Sequence, residues 1–219
     1  MNFALTADGR ASTRKGTPAD FPSKFDKRRL LEIRATGDAL LVGARTLATD
    51  NMSMGLPADD LRAQRLARGQ AEYPLRVILT NSGRINPELR VFSKDFSAIH
   101  IFSTERMPKR TRVALEAKAT LHLDDAPAVD LPGMLRTLHR EHRIRRIVCE
   151  GGPAALRSLL VADLIDELHV TFCPRIFGGT GAPTLTGPAG PYLPRSTRLA
   201  LRSMEVVDDE CFLRYRVLR

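Results

Sequence analysis

Tryptophan is absent from these 219 residues, and aromatic side chains make up only 5% of them. Cysteine is scarce as well. Cys149, Cys173 and Cys211 lie far apart, form no C-x-x-C pair and are odd in number. That argues against a disulfide framework or a zinc site, so reduced, buried thiols are expected. His139 and His142 are three residues apart on a predicted helix, but no carboxylate and cysteine pattern accompanies them, and no metal site is expected. No run approaches the roughly 18 apolar residues of a membrane-spanning helix. The first residues, Met-Asn-Phe-Ala-Leu-Thr-Ala-Asp, lack the basic start and long apolar stretch of a secretory signal. A cytoplasmic protein without a membrane partner is the resulting expectation. Nucleophile-elbow, Walker and H-E-x-x-H sequences are also missing.

What is present is a globular composition, 43% hydrophobic, with a net charge of +9. The length suits one domain, residues 1–219. An excess of positive charge attracts anions. The arginines are spread along the whole chain, with no basic tail, zinc finger or RNP-type aromatic motif. A small phosphorylated molecule therefore suits the charge better than nucleic acid.

Short apolar runs alternate with helical patterns. Strands are predicted at Asn2–Thr6, Ala39–Gly43, Leu75–Thr80, Ala98–Ser103, Thr120–Leu123, Ile147–Glu150 and Leu168–Phe172. Helices are predicted from Lys24 to near Gly37, behind a Ser23/Asp26 capping pattern, and from Ala44 to Thr49, Asp60 to Arg68 and Pro108 to Ala117. A further helix follows Asp130, its predicted cap. Arg10–Pro22 and Arg175–Pro194 read as loops. Leu199–Val207 and Cys211–Val217 form a terminal hairpin around Asp208-Asp209-Glu210. The fold class is α/β: a mostly parallel central sheet flanked by helices, with antiparallel strands at its C-terminal edge.

The stretch from Arg146 to Leu160 organises the rest. A buried strand ends at Glu150, Gly151 and Gly152 follow at once, and Pro153 opens a helix whose apolar face is Leu156, Leu159 and Leu160. A helix start offers free N–H groups and a partial positive charge, and residues without Cβ let an anion come close. The same sequence also suits an ordinary tight turn. Asp8, Asp50 and Glu150 are carboxylates at strand ends or just beyond, fit either for acid–base work or for capping turns. Thr46 and Asp50 are four apart and share one helical face. Asn81-Ser82-Gly83-Arg84 is a donor-rich turn after a strand.

Together these pieces resemble the reductase domain of the bifunctional riboflavin-biosynthesis deaminase-reductase, which has the dihydrofolate reductase-like fold. The matching segments are Leu5–Arg10, Leu31–Ala35, Asp38–Thr46, Val148–Pro153, Leu164–Leu168 and Pro174–Gly179, in family order. The resemblance implies an NADPH-dependent oxidoreductase acting on a ribosylaminopyrimidine phosphate. By motif position, Thr46, Asp50, Ser82, Arg84 and Gly151, Gly152, Pro153, Ala154, Ala155 and Leu156 would bind the cofactor. Ser82 and Arg84 would meet its 2′-phosphate. Arg34, Glu150 and Met54 would bind a phosphorylated or pyrimidine-like substrate, with Glu150 and Asp50 as the catalytic carboxylates. The family's homodimer would form through the C-terminal strands, around Val206 and Val217.

The chain departs from the family pattern in three places. Thr17–Phe21 stands where a Ser-x-Trp piece is usual. Asp50–Pro57 lacks an arginine that would hold the substrate phosphate. No zinc-binding deaminase domain is expected within these 219 residues. The cofactor half of the pattern is better kept than the substrate half, so a divergent substrate is one implication. Two alternatives are a dihydrofolate or pterin reductase and a non-catalytic nucleotide-binding protein on the same fold. Glu-Gly-Gly-Pro and the lack of tryptophan speak against the first. Intact Thr46, Asp50 and Glu150 speak against the second.

Overall fold

A computed structural model describes residues 1–12, 23–187 and 191–219. In chain order the elements are β1 (Asn2–Thr6), α1 (Lys24–Thr36), β2 (Ala39–Gly43), α2 (Ala44–Asp50), α3 (Asp59–Ala67) and β3 (Leu75–Leu79). They continue with β4 (Ile99–Thr104), α4 (Lys109–Glu116), β5 (Thr120–Asp124), α5 (Leu131–His142), β6 (Ile147–Cys149) and α6 (Pro153–Val161). Last come β7 (Glu167–Cys173), β8 (Arg198–Val207) and β9 (Glu210–Leu218). A 3₁₀ turn at Arg90–Ser93 has no counterpart in the sequence reading. The Thr17–Phe21 segment and most of the Arg10–Pro22 loop lie outside the described residues, as do residues 188–190 of the second long loop.

Two compact units divide the chain: Leu31–Cys149, and Met1–Leu30 with Glu150–Arg219. The first holds an all-parallel sheet of five strands in the order β5-β4-β3-β2-β6. Its central strands are buried on both faces, which is why they read as continuous apolar runs rather than alternating ones. Leu40, Val42, Ile78, Ile101 and Val148 pack in one cluster with Leu47, Met54, Val91 and Leu115.

Buried arginines also tie this unit together. Arg65, 1% exposed, donates to the carbonyls of Ala35, Gly37, Ala71 and Glu72. Arg76, also 1% exposed, donates to those of Val91, Lys94 and Ser97, with its guanidinium over the Phe96 ring. Each guanidinium carries enough donors to satisfy several carbonyls that would otherwise be left without partners inside the protein. Burial pushes both pKa values down.

The second unit holds a mixed sheet, β1-β7-β9-β8, with β1 and β7 parallel and the rest antiparallel. The terminal hairpin therefore belongs with β1 and β7 in a sheet of its own, rather than on the edge of the parallel sheet. Ser23 starts α1 as expected, its hydroxyl accepting from the Phe25 and Asp26 amides and donating to Glu210. Asp130 stands at the cap position of α5, but its side chain makes no capping bond and pairs with Arg136.

Candidate active site

The order of the parallel sheet fixes where a ligand is to be sought. The chain steps from β2 through β3 and β4 to β5 in one direction, then returns to place β6 on the other side of β2. That reversal is a topological switch point, and open α/β sheets bind ligands outside the carboxyl ends of the strands at such a point. Helix α2 leaves β2 directly through Gly43. Leu47, fully buried, anchors the helix, and Thr46 and Asp50 lie one turn apart on it, both half-buried.

The chain leaves β6 at Glu150, a half-buried carboxylate. Gly151 follows with φ 99°, and Gly152 caps α6 without help from any side chain. Pro153 at the first helical position has no N–H to satisfy. The Leu156 amide is used internally, bonded to the Gly152 carbonyl at 3.1 Å, and its side chain is fully buried. The donors that the start of α6 can offer an anion are thus the Ala154 and Ala155 amides.

Ser82 and Arg84 occupy an exposed turn after β3 that is held firmly from behind. The Thr104 hydroxyl donates to the Asn81 carbonyl at 2.8 Å, and the Asn81 side chain accepts from the Val129 amide at 3.1 Å. Gly83 has φ 60°, and a Cβ there would lie 2.4 Å from the Cβ of Met107. The turn after β3 is therefore pressed against the turn after β4. That second turn carries Arg106, whose amide donates to the Thr104 hydroxyl at 3.2 Å. Arg106 is a second exposed cation at this edge, and the sequence reading missed it. The signal was available in Thr104 and Arg106 following a strand, as Ser82 and Arg84 do.

Arg34 lies in the last turn of α1 and is buried, 8% exposed. Its Nη1 donates to the Gly55 carbonyl at 2.8 Å, and its Nη2 lies 4.0 Å from the Met52 sulfur. It therefore braces the segment after α2 that contains Met54. The Met54 side chain is itself in the core at 2% exposure, with φ 58°. Asp8 is engaged in a structural clasp: it accepts from the Thr6 hydroxyl and from the Phe177 and Gly178 amides. Those bonds, that from Thr6 foremost, hold its pKa down at about 2. An acid kept ionised in this way is a poor proton donor, and the turn-capping reading fits it.

The model of the RibD C-terminal domain matches residues 1–213. The chain belongs to the RibD C-terminal domain family. Among similar RibD-type proteins is the 2,5-diamino-6-ribosylamino-4(3H)-pyrimidinone 5′-phosphate reductase of Methanothermobacter thermautotrophicus, 28% identical over 99% of this chain and 96% of the relative. The protein of the same name from Aquifex aeolicus is 28% identical over 98% of the chain and 93% of the relative. A pyrimidine reductase-like protein from Corynebacterium diphtheriae shares the fold with a TM-score of 0.83 at 22% identity, covering 100% of this chain and 90% of that one. The RibD-type chain is accordingly an oxidoreductase on an α/β reductase fold.

Proposed function

We propose that the chain reduces a ribosylaminopyrimidine 5′-phosphate, as the names of its full-length relatives indicate, with NADPH as the donor. The observation that carries this reading is the switch point between β2 and β6, with Thr46 and Asp50 on the helix leaving one strand and Glu150-Gly151-Gly152 leaving the other. Two features of the chain suit the cofactor's phosphates. One is the α6 start that no side chain caps. The other is the exposed Ser82 and Arg84, with Arg106 on the abutting turn.

In this reading the Ala154 and Ala155 amides take the pyrophosphate, and Ser82 with Arg84 takes the 2′-phosphate. Thr46 and Asp50 orient the cofactor. NADPH, when bound, supplies the hydride. Glu150 accepts hydrogen bonds from the amino-pyrimidine edge, and Arg34 shapes the substrate segment through Gly55. Titration with NADPH and NADH tests the cofactor assignment. NADPH should bind at least about tenfold more tightly, and Arg84→Ala should erode that margin, since a charge-assisted bond is worth roughly 1.5–3 kcal/mol. Equal affinity for the two dinucleotides overturns it.

The reading extends to a homodimer formed across β8. Leu199, Leu201, Met204 and Val206 are 40–64% exposed. The register shifts between Leu201 and Ser203, so one extra residue changes the parity and keeps these four on one face. A ten-residue edge strand with such a face calls for a partner. Val217, by contrast, is buried at 8% exposure. Sedimentation at micromolar concentration should give about twice the 24.3 kDa chain mass. A cytoplasmic location suits the free cysteines, Cys149, Cys173 and Cys211. No helix among the described residues is long and apolar enough to cross a membrane.

A further inference from the structure

The mixed-sheet unit contains a cavity of about 560 Å³ whose lining includes Arg10, Arg157, Thr180, Thr186, Ser196 and Thr197, and no acidic side chain. Arg10 follows β1 and Arg157 lies one turn into α6. Both guanidiniums are anchored by one end: Arg10 Nη1 donates to the Ala182 carbonyl and Arg157 Nη2 to the Tyr192 carbonyl, each at 3.1 Å. The Arg10 Nε is buried with no hydrogen-bond acceptor among the described residues, Asp8 Oδ2 lying 3.7 Å away. Each fork thus keeps donors to spare, and a guanidinium has five. The four hydroxyl side chains also make no hydrogen bond among the described residues.

Two anchored arginines with unused donors, in a lining rich in hydroxyls and without a carboxylate of its own, form the donor set of a tetrahedral oxyanion. We propose that this cavity binds a phosphate monoester, the 5′-phosphate of the substrate, with Arg157 and Arg10 as its cationic partners. The identification of the phosphate as the substrate's rests on the function proposed above. The presence of an oxyanion site does not.

The test compares wild type with Arg157→Gln and, on a separate segment, Arg10→Gln. Three quantities are measured: kcat/KM for the ribosylaminopyrimidine phosphate and for its dephosphorylated nucleoside, Kd for NADPH, and the rise in Tm caused by inorganic phosphate over chloride at matched ionic strength. The proposal expects the preference for the phosphorylated compound to fall roughly ten- to hundredfold in each variant, through KM, with NADPH affinity unchanged. It expects phosphate to stabilise wild type and to lose that effect in both variants. Arg157→Lys, a point charge without the fork, should recover part of it.

An unchanged preference overturns the proposal. So does a parallel loss of NADPH affinity, which would assign the cavity to the cofactor's phosphates. If wild type reduces neither compound, the functional reading fails, and phosphate stabilisation decides the oxyanion site by itself. Equal stabilisation of wild type and variants would then dismiss it.

Discussion

Replacing Gly83 with alanine separates two costs that the structure makes distinct. The backbone there is left-handed, φ 60°, which an L-residue with a Cβ adopts at roughly 1–2 kcal/mol. The added Cβ would also stand 2.4 Å from Met107 Cβ and 2.6 Å from Met107 Cα. The second of these is backbone, so no side-chain rotation relieves it, and overpacking of this kind costs about 1–3 kcal/mol more. The total of about 2–5 kcal/mol corresponds to a fall in Tm of roughly 4–20 °C for a chain of this size. Gly69→Ala is the matched control. Gly69 has φ 72° just after α3, and nothing lies within 4 Å of its added Cβ, so only the conformational cost applies. Because Gly83 sits between Ser82 and Arg84, Gly83→Ala should also weaken NADPH more than NADH, whereas Gly69→Ala should leave both unchanged. Thermal melts and dinucleotide titrations of the two variants provide the comparison. A Gly83→Ala protein that melts no lower than Gly69→Ala and keeps its NADPH margin would refute the claim that this turn is pressed into place for the cofactor.

Arg34→Ala removes a buried donor from the Gly55 carbonyl and should cost about 1.5–3 kcal/mol of stability. If Arg34 also shapes the substrate segment, kcat/KM falls about ten- to hundredfold with NADPH affinity nearly constant, and normal turnover with a lowered Tm removes it from the site. Glu150→Gln should lower kcat/KM by about tenfold or more without weakening NADPH, and an unaltered kcat/KM removes Glu150 from substrate recognition. His100, with His122 and His142 against it and Asp124 and Glu141 nearby, has its pKa pushed from 6.5 to about 4, by burial first and then by the two other histidines. The unfolded chain therefore binds more protons between those values, and stability is fully present above pH 6.5 and lost as pH falls toward 4. Melts across that window should show the loss, and His100→Gln should flatten it.

The parts of the fold legible in the sequence are those set by local pattern. Ala39–Gly43 reads as a buried strand because every residue of it is apolar or glycine. Pro153 with Leu156, Leu159 and Leu160 marks the start and inner face of α6, and Ser23 caps α1 from its own sequence. Pairing is different, because it joins distant segments. Nothing local tells that β1 and β7 take the terminal hairpin into a second sheet, nor that His100 of β4 meets His122 of β5 face to face and His142 of α5 edge-on. Charge is equally silent about place. Arg34, Arg65 and Arg76 count toward the +9 that draws anions, yet each is buried on backbone carbonyls. Asp130 shows the limit at one residue: its position at the head of α5 follows from sequence, while its partner, Arg136, belongs to the folded geometry.

The most direct measurement is the oxidation of NADPH by the purified chain in the presence of 2,5-diamino-6-ribosylamino-4(3H)-pyrimidinone 5′-phosphate, with the sugar of the product analysed. The account predicts one NADPH consumed for each ribosyl group reduced to ribityl, and much slower turnover with NADH. Consumption of NADPH with dihydrofolate but not with the ribosylaminopyrimidine, or no consumption with either, would contradict it.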